Sequence, residues 1–229
     1  MKKKAKKVPI KFNKNILRTY FVAGTQDFGE NGAEKLEAAL KQALESGITA
    51  YQYREKGSGS LKGSEKVNLG KKLHQLCMQY KVPFIIDDDV DLALETAADG
   101  IHVGQKDEGI QSVVNDVKDK MFVGYSCNTG EEIKEANETT GISYLGIGTV
   151  YPTNSKADAG KALGLKKLTD LVSLSKYPVV AIGGITEQNI VGIPATGAVG
   201  VAAISMITQS DNINRTIKVM NQTFGSKEK

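Results

Sequence analysis

Residues 83–107 read PFIIDDDVDLALETAADGIHVGQKD, and this single stretch contains the repeating unit of the fold. Two short apolar runs, Phe84–Ile86 and Gly100–Val103, have the length of strands, and a helix is expected to begin near Val90 between them. A strand, a helix and a second strand joined in this order pair in parallel through a right-handed crossover. The acidic residues that follow both strands would then lie at the same edge of the sheet.

The same alternation of apolar runs and amphipathic stretches continues along the chain, and it predicts an α/β protein with a single TIM (β/α)8 barrel. Four segments have helical spacing: Ala33–Ser46, Leu61–Tyr80, Gly130–Thr140 and Leu163–Leu174. Eight runs have the composition of strands: Arg18–Val22, Ala50–Tyr53, Phe84–Ile86, Gly100–Val103, Met121–Gly124, Tyr144–Gly146, Val179–Ile182 and Gly200–Ala203.

The composition is typical of one cytoplasmic enzyme domain. The chain has 229 residues, of which 40% are hydrophobic, which is enough for one sizeable core. No apolar run reaches the roughly 18 residues that a membrane span needs, so no membrane partner is expected. Cys77 and Cys127 lack the spacing of a zinc site and are expected to be free thiols.

The positive charge of the chain is concentrated at its start. The net charge is +4, but seven lysines lie within the first fourteen residues, and the rest of the chain is more acidic than basic. Like charges repel, so residues 1–15 are expected to form a disordered basic tail and residues 16–225 the barrel domain. Because no series of aromatic residues interleaves these lysines, no nucleic-acid partner is expected.

Charged residues follow the second predicted strand. Function in a barrel concentrates at the carboxyl ends of the strands. Gln52, Arg54 and Lys56 combine an amide with two cations and could bind a diphosphate, with arginine as a planar fork and lysine as a point charge. A solvated charged loop is the alternative interpretation.

Acidic residues follow the third and fourth strands. Asp87, Asp88 and Asp89 are adjacent carboxylates that need a compensating cation, and Asp107 lies beyond the next strand. Oxygen ligands suit Mg²⁺, so Asp88 and Asp107 are predicted to share one metal ion. Asp89 could instead cap the following helix. His102 is expected to line or support the pocket.

The remaining strand ends provide hydroxyls, a lysine and paired glycines. Ser126 follows the fifth strand, and residues 146–156 form a long loop that ends in Lys156. Gly183 and Gly184 follow the seventh strand, where many barrels hold a phosphate. The pattern suggests one substrate with a diphosphate beside another with a monophosphate.

As a set, six segments resemble the motif series of the thiamine phosphate synthases, in order and with barrel spacing. The resemblance implies a transferase of thiamine biosynthesis. It would condense 4-amino-2-methyl-5-(diphosphooxymethyl)pyrimidine with 4-methyl-5-(2-phosphoethyl)thiazole, or with its carboxylated form, and release thiamine phosphate and pyrophosphate. The segments are Gln52–Lys56, Asp87–Val90, Gly100–Asp107, Pro152–Lys156, Gly183–Ile185 and Ile204–Ser205.

The same resemblance implies the roles of individual residues. Arg54, Lys56 and Lys156 would be catalytic, and Asp88 and Asp107 would hold Mg²⁺ while pyrophosphate departs dissociatively. The thiazole phosphate would contact Thr153, Asn154, Ser155, Gly184, Ile204 and Ser205. The pyrimidine diphosphate would contact Gln52, Tyr53, Arg54, Glu55, Lys56, Asp87, Ser126 and Lys156. These two small molecules are the implied partners, and the resemblance leaves a homo-oligomer open.

Two positions depart from the family pattern. The family usually has Asn where this chain has Asp87, and it commonly has His where this chain has Asn128. An ionised Asp87 would repel a diphosphate unless it faces the metal, pairs with Arg54 or Lys56, or holds a proton, and we expect it to face the metal. The alternative functions are a related thiazole tautomerase, a non-catalytic phosphate-ligand binding protein and a phosphosugar isomerase.

Overall fold

Eight parallel strands close into a barrel in the computed structural model, which describes residues 10–153, 155 and 161–225. Each strand pairs with the next along the chain, and β1 closes the barrel by pairing in parallel with β8. The predicted TIM barrel is therefore confirmed. The strands are β1 Thr19–Ala23, β2 Ala50–Tyr53, β3 Phe84–Asp87, β4 Gly100–Val103, β5 Phe122–Ser126, β6 Ile142–Ile147, β7 Val179–Ile182 and β8 Gly200–Ala203.

Helices surround the barrel and return the chain from one strand to the next. The α1 helix is followed by Gly47 at φ +91°, as expected for a glycine that stops a helix. The carboxylate of Asp89 accepts the Leu92 N–H at 2.9 Å, so this acid caps α3. The helices are α1 Gly32–Glu45, α2 Gly63–Tyr80, α3 Val90–Thr96, α4 Ile110–Val117, α5 Gly130–Glu138, α6 Gly164–Leu174, α7 Ser205–Thr208 and α8 Ile213–Phe224.

Side chains alternate between two packed layers. Tyr51 and Tyr53 of β2 point outward and belong to the core between barrel and helices. Tyr20, Ile85 and Tyr144 point inward and fill the barrel itself. Since successive residues of a strand face opposite layers, the same alternation decides which residues at the strand ends face the open mouth.

The segment before β1 covers the amino-terminal end of the barrel. The Ile10 N–H donates to the Asp99 carboxylate at 3.4 Å. The Phe12 ring lies 5.9 Å from the Tyr144 ring, nearly parallel to it, and 5.5 Å from the Phe122 ring. Residues 1–9 of the predicted tail lie outside the described residues, whereas these later contacts show that the chain packs on the barrel before residue 16. None of the described helices has the length and apolar composition to cross a membrane.

Candidate active site

A cavity of about 390 Å³ opens at the carboxyl ends of the strands. Residues in or just after the carboxyl ends of seven strands, β2 to β8, line it. It brings together cationic and acidic side chains from β2 to β4 and hydroxyls and glycines from β6 to β8. The cavity therefore brings together two chemically different sets of residues, one charged and one of hydroxyl-bearing residues and glycines.

Arg54 forms a nearly buried ion pair at the floor of this cavity. Its Nε lies 3.3 Å from Asp87 Oδ2, and the two side chains are only 10% and 12% exposed. Asp87 was expected to face a metal, but the structure shows another of the three proposed arrangements, the pair with Arg54. The reason is geometric, because the β2 and β3 ends are neighbours and both side chains point inward.

Asp88 and Asp107 converge on one cation, the ammonium of Lys56. Lys56 Nζ lies 2.5 Å from Asp88 Oδ2 and 3.0 Å from Asp107 Oδ1. Partial burial alone would lower the pKa of Lys56, but the hydrogen bonds from the two carboxylates outweigh it and raise the pKa above its usual value. These acids therefore lie close enough to share a single cation.

Backbone contacts fix the position of Asp88, and hydrogen bonds favour the ionised form of Asp107. Asp88 has a left-handed φ of +56°, which aspartate tolerates better than most residues, and its N–H donates to the His102 carbonyl at 2.8 Å. Partial burial tends to raise the pKa of Asp107, but the Gly104 N–H and Lys56 hold it below its usual value. Hard carboxylate oxygens fit Mg²⁺, which completes its coordination with phosphate and water. Among the described residues no group of three or more His, Cys, Asp or Glu could hold a metal ion, so those further ligands would be required.

Three residues of the Gln52–Lys56 segment do not reach the cavity with their side chains. Tyr53 packs outside the barrel and donates to the Lys66 carbonyl at 3.3 Å. Gln52 is buried inside the barrel, where its amide donates to the Tyr20 hydroxyl at 2.9 Å. Glu55 turns away from the mouth. The diphosphate contacts expected of these side chains are therefore not supported by their placement.

Glu55 instead joins the loops that follow β1 and β2. Its carboxylate accepts the Thr25 N–H at 2.7 Å, the Thr25 hydroxyl at 2.8 Å and the Leu61 N–H at 2.6 Å. Arg54 and Lys56 flank it in the chain and point into the cavity. Glu55 thus holds the backbone from which both cations project.

We expect Glu55→Gln to lower kcat/KM by about tenfold, since an amide cannot replace a carboxylate that accepts three hydrogen bonds. The effect would come from misplaced cations and would appear in steady-state kinetics with little loss of secondary structure by circular dichroism. Glu108→Gln is the matched control, because Glu108 is exposed on the loop after β4 and accepts only a local Ser112 hydroxyl at 2.6 Å among the described contacts. Equal losses in both variants would contradict this role.

Ser126 lies at the cavity wall beside His102. The His102 Nε2 atom lies 2.9 Å from Ser126 Oγ, and its Nδ1 atom lies 3.1 Å from the Tyr144 hydroxyl. Both Ser126 and His102 line the cavity, as expected. The histidine therefore supports the serine from inside the barrel.

The opposite wall carries small and hydroxyl-bearing residues. Ser155 Oγ lies 3.1 Å from Ser205 Oγ and 3.2 Å from Thr153 Oγ1. Gly184 has φ +66°, and a Cβ there would lie 2.3 Å from the Tyr151 carbonyl oxygen, so only glycine fits. Ile204 also lines this wall. Asn154 and Lys156 lie outside the described residues.

Several residues near the site carried no sequence signal. Gln105 donates to the Ser126 carbonyl at 2.7 Å and accepts the Tyr125 hydroxyl at 2.9 Å, and Thr149 lines the cavity. Tyr20 and Tyr144 looked like ordinary core residues of strands. The sequence places these residues in or after predicted strands. The contacts between them form only when the barrel closes, so the sequence does not predict them. Asn128, singled out as a departure, lies at the cavity with its amide against the Gly148 backbone.

The comparisons with known proteins agree on one family. Residues 19–207 match the family model described as thiamine monophosphate synthase. A thiamine-phosphate synthase of Pediococcus pentosaceus is 56% identical over 201 residues, which cover 87% of this chain and 92% of that protein. A thiamine-phosphate synthase of Lactiplantibacillus plantarum is 49% identical, over 92% of this chain and 96% of that protein.

Solved structures agree with this result. Thiamine phosphate pyrophosphorylase from Pyrococcus furiosus superposes with a TM-score of 0.79 at 32% identity, over 93% of this chain and 99% of that chain. Orotidine 5′-phosphate decarboxylase from Pyrococcus horikoshii, at 13% identity and a TM-score of 0.66, over 91% of this chain and all of that chain, shares the fold alone. The expected thiamine-phosphate synthase function and the transferase class are confirmed. The chain belongs to the thiamine monophosphate synthase family.

Proposed function

We propose that the chain makes thiamine phosphate in this cavity by joining the pyrimidine diphosphate to the thiazole phosphate, with Mg²⁺ as cofactor. The observation that carries the residue-level proposal is the convergence of Asp88 and Asp107 on one cation beside Arg54. A diphosphate is a polyanion, and it needs this combination of fixed cations and a bridging metal.

The diphosphate would lie on the β2-to-β5 side of the cavity. Arg54 would donate to it from the floor, and Ser126 would donate from the wall. Asp88 and Asp107 would hold Mg²⁺, whose charge would stabilise the negative charge that develops on pyrophosphate. Lys56, which bridges the two acids in the structure, would then be free to contact the diphosphate.

The thiazole phosphate would lie on the β6-to-β8 side. Thr153, Ser155 and Ser205 offer clustered hydroxyls, and Gly183 and Gly184 line the cavity without side chains, so a phosphate could approach their backbone. Ile204 and Asn154 would complete this side. The described residues proposed for the two phosphates line the same cavity, so the two substrates would meet there.

The bond between the pyrimidine methylene carbon and the diphosphate oxygen breaks first, and both electrons leave with pyrophosphate. The thiazole nitrogen then donates its lone pair to the methylene carbon. The developing charge is negative on the leaving group, so positively charged side chains such as those proposed at Arg54 and Lys156 would contribute more than a general base. This explains a site rich in cations.

A thiazole tautomerase of the same barrel family was the nearest alternative. Its acid/base histidine would stand at Asn128, and a carboxamide is neither a general acid nor a general base near neutral pH. The relatives named as thiamine-phosphate synthases, at 44% to 56% identity, favour the transferase. A phosphosugar isomerase is less consistent with the site, because that reaction would give Asp88 and Asp107 no function.

The direct test is incubation of the purified protein with both substrates and Mg²⁺, followed by mass spectrometry of the products. Thiamine phosphate and pyrophosphate should form in equal amounts. Omission of the thiazole phosphate should leave no thiamine phosphate. Binding of both substrates without product would favour the phosphate-ligand binding protein instead.

Lys156→Ala should lower kcat by about a hundredfold and change the KM for the thiazole phosphate little. The charge is needed most as pyrophosphate departs, which is stabilisation of the transition state. Steady-state kinetics with each substrate varied separately measures both constants. An unchanged kcat with a raised KM for the thiazole phosphate would place Lys156 in the other subsite.

We place the reaction in the cytoplasm. Cys77 and Cys127 are both buried free thiols, and unpaired cysteines suit a reducing compartment. The two substrates remain the proposed partners, and any homo-oligomer stays a prediction. The disordered tail also stays a prediction, for residues 1–9 only, because Ile10 and Phe12 already contact the barrel. No nucleic-acid partner is proposed.

A further inference from the structure

A continuous row of hydrogen-bonding side chains crosses the inside of the barrel and ends at the cavity. Gln52 Nε2 lies 2.9 Å from the Tyr20 hydroxyl, which lies 2.9 Å from the Tyr144 hydroxyl. Tyr144 lies 3.1 Å from His102 Nδ1, and His102 Nε2 lies 2.9 Å from Ser126 Oγ. Gln52, Tyr20 and Tyr144 do not line the cavity. The row therefore connects a buried amide to a residue at the cavity wall.

The first contact determines the direction of the whole row. An amide nitrogen has no lone pair to accept with, so Gln52 donates to Tyr20. The Tyr20 hydroxyl hydrogen then needs an acceptor, and among its contacts in the described part of the chain Tyr144 fills that role. The Tyr144 hydroxyl hydrogen is left to point at His102 Nδ1, which must accept and so carries no hydrogen.

We propose that Gln52, Tyr20 and Tyr144 act as positioning residues that determine the tautomer of His102: in the neutral ring they hold the hydrogen on Nε2. That hydrogen is donated to Ser126 Oγ, so the Ser126 hydroxyl hydrogen turns away from His102 and into the cavity as a donor for an anionic oxygen. The identity of that oxygen as the diphosphate's rests on the proposed function. The tautomer of His102 does not.

Two glycines make the space for this arrangement. A Cβ at Gly124 would lie 2.4 Å from His102 Nδ1 and 2.5 Å from the Tyr144 hydroxyl. A Cβ at Gly146 would lie 3.1 Å from His102 Cε1. The adjacent strands β5 and β6 thus have glycines, which lack side chains, where the His102 ring contacts the Tyr144 hydroxyl. The row is accommodated by the barrel backbone and is more than a chance contact of flexible side chains.

The Tyr20 and Tyr144 hydroxyls both stay protonated at neutral pH. Burial raises the pKa of Tyr20 well above its usual value, with the neighbouring Tyr144 adding to the effect. Burial likewise raises the pKa of Tyr144. On the far side, the Phe12 ring stacks on Tyr144 at 5.9 Å and restricts its position. Each tyrosine hydroxyl therefore has one hydrogen to donate to the next residue of the row.

The tautomer can be read directly from the ligand-free protein by nitrogen-15 NMR of its histidine rings. The measurement belongs in mildly alkaline buffer, where imidazole is neutral. His102 should show the Nε2–H form. The other histidine, His74, gives a reference signal for a hydrogen on Nδ1, because this nitrogen lies 2.9 Å from the Thr96 carbonyl oxygen, which can only accept, while its Nε2 lies 3.7 Å from the Asp99 carboxylate. A neutral Nδ1–H form at His102 in the native protein would overturn the proposal.

Gln52→Glu should reverse the row at a pH where its carboxyl group is ionised, because a carboxylate accepts from Tyr20, and His102 should then change to the Nδ1–H form. If the buried carboxylate prevents folding, Tyr144→Phe tests the same point with a nearly isosteric change. Loss of the hydroxyl should leave His102 as a mixture of tautomers. Tyr177→Phe is the matched control, since it removes a phenol that donates to the Thr139 carbonyl at 2.7 Å outside the barrel. A His102 tautomer unchanged in Tyr144→Phe would contradict the proposal.

Kinetics separates this inference from the proposed function. Tyr144→Phe should raise the KM for the pyrimidine diphosphate or lower kcat by about tenfold, the value of one well-directed hydrogen bond to a charged group. The KM for the thiazole phosphate should stay unchanged. In a Ser126→Ala background the Tyr144→Phe change should have no further effect, because the Ser126 hydroxyl that the row orients is then absent. Additive losses would overturn the link to Ser126, whereas a native protein with the expected tautomer but no activity would contradict only the proposed function.

Discussion

Arg54→Ala is expected to lower kcat/KM for the pyrimidine diphosphate by about 10³-fold, which corresponds to roughly 4 kcal/mol. Two losses combine in this variant. The diphosphate loses a planar donor at the floor of the cavity, where the Arg54 side chain is 10% exposed. The Asp87 carboxylate, 12% exposed, also loses a cation that lies 3.3 Å away, and it then repels the incoming diphosphate. Steady-state kinetics with the pyrimidine diphosphate as the varied substrate measures the loss.

Two further variants separate these contributions. Arg54→Lys keeps the charge but not the fork, so its loss should be intermediate. In Arg54→Ala/Asp87→Asn the repelling charge is also removed, and activity should recover by about tenfold relative to Arg54→Ala alone. If the double variant were no more active than Arg54→Ala, the pair with Asp87 would have no part in the site. Asp87→Asn alone should remain active, because it leaves Arg54 available to the diphosphate.

Removal of divalent metal is expected to abolish activity, and Asp88→Asn or Asp107→Asn should raise the Mg²⁺ concentration for half-maximal rate by on the order of 10²-fold. The two carboxylates face one cation at 2.5 and 3.0 Å in the structure. Neutralising either one halves the charge that holds a metal ion otherwise bound through phosphate and water. Titration of the rate with Mg²⁺ after treatment with EDTA gives the constants for each variant.

Asp89→Asn is the matched control, because Asp89 belongs to the same acidic run but caps α3 and pairs with Lys66 at 2.7 Å. Asparagine caps a helix about as well as aspartate, so this variant should stay folded. Its Mg²⁺ dependence should match that of the native protein. Full activity in excess EDTA, or an equal shift in all three variants, would refute the metal assignment.

The strand–helix alternation made the fold predictable. β2, β4, β7 and β8 begin and end where the sequence predicted, because short apolar runs bounded by turns leave little freedom for a buried strand. The other strands differ by one or two residues at their ends. Ends are less certain since hydrogen bonding there depends on the neighbouring strand. The identity of the residues at the mouth followed from the same pattern, because parallel strands all place their carboxyl ends on one face.

Which of those residues face the cavity was decided only in three dimensions. Arg54 and Lys56 point into the mouth while Glu55 between them holds two loops together, and the sequence shows three charged residues in a row. Asp87 faces Arg54, a partner that β-strand pairing supplies.

By itself, the sequence determined the barrel, the family and the chemical types gathered at the open end, because these depend on local periodicity and on motifs of adjacent residues. Only the tertiary structure decided the partners. Tyr20, Tyr144, His102 and Ser126 come from four different strands, and the Tyr20–Tyr144 bond joins residues 124 positions apart. Such contacts arise when the sheet closes on itself and inward-facing side chains from distant strands share one interior. No local pattern along the chain predicts these contacts. The hydrogen-bond direction that we infer for Ser126 could therefore be derived only from the closed barrel.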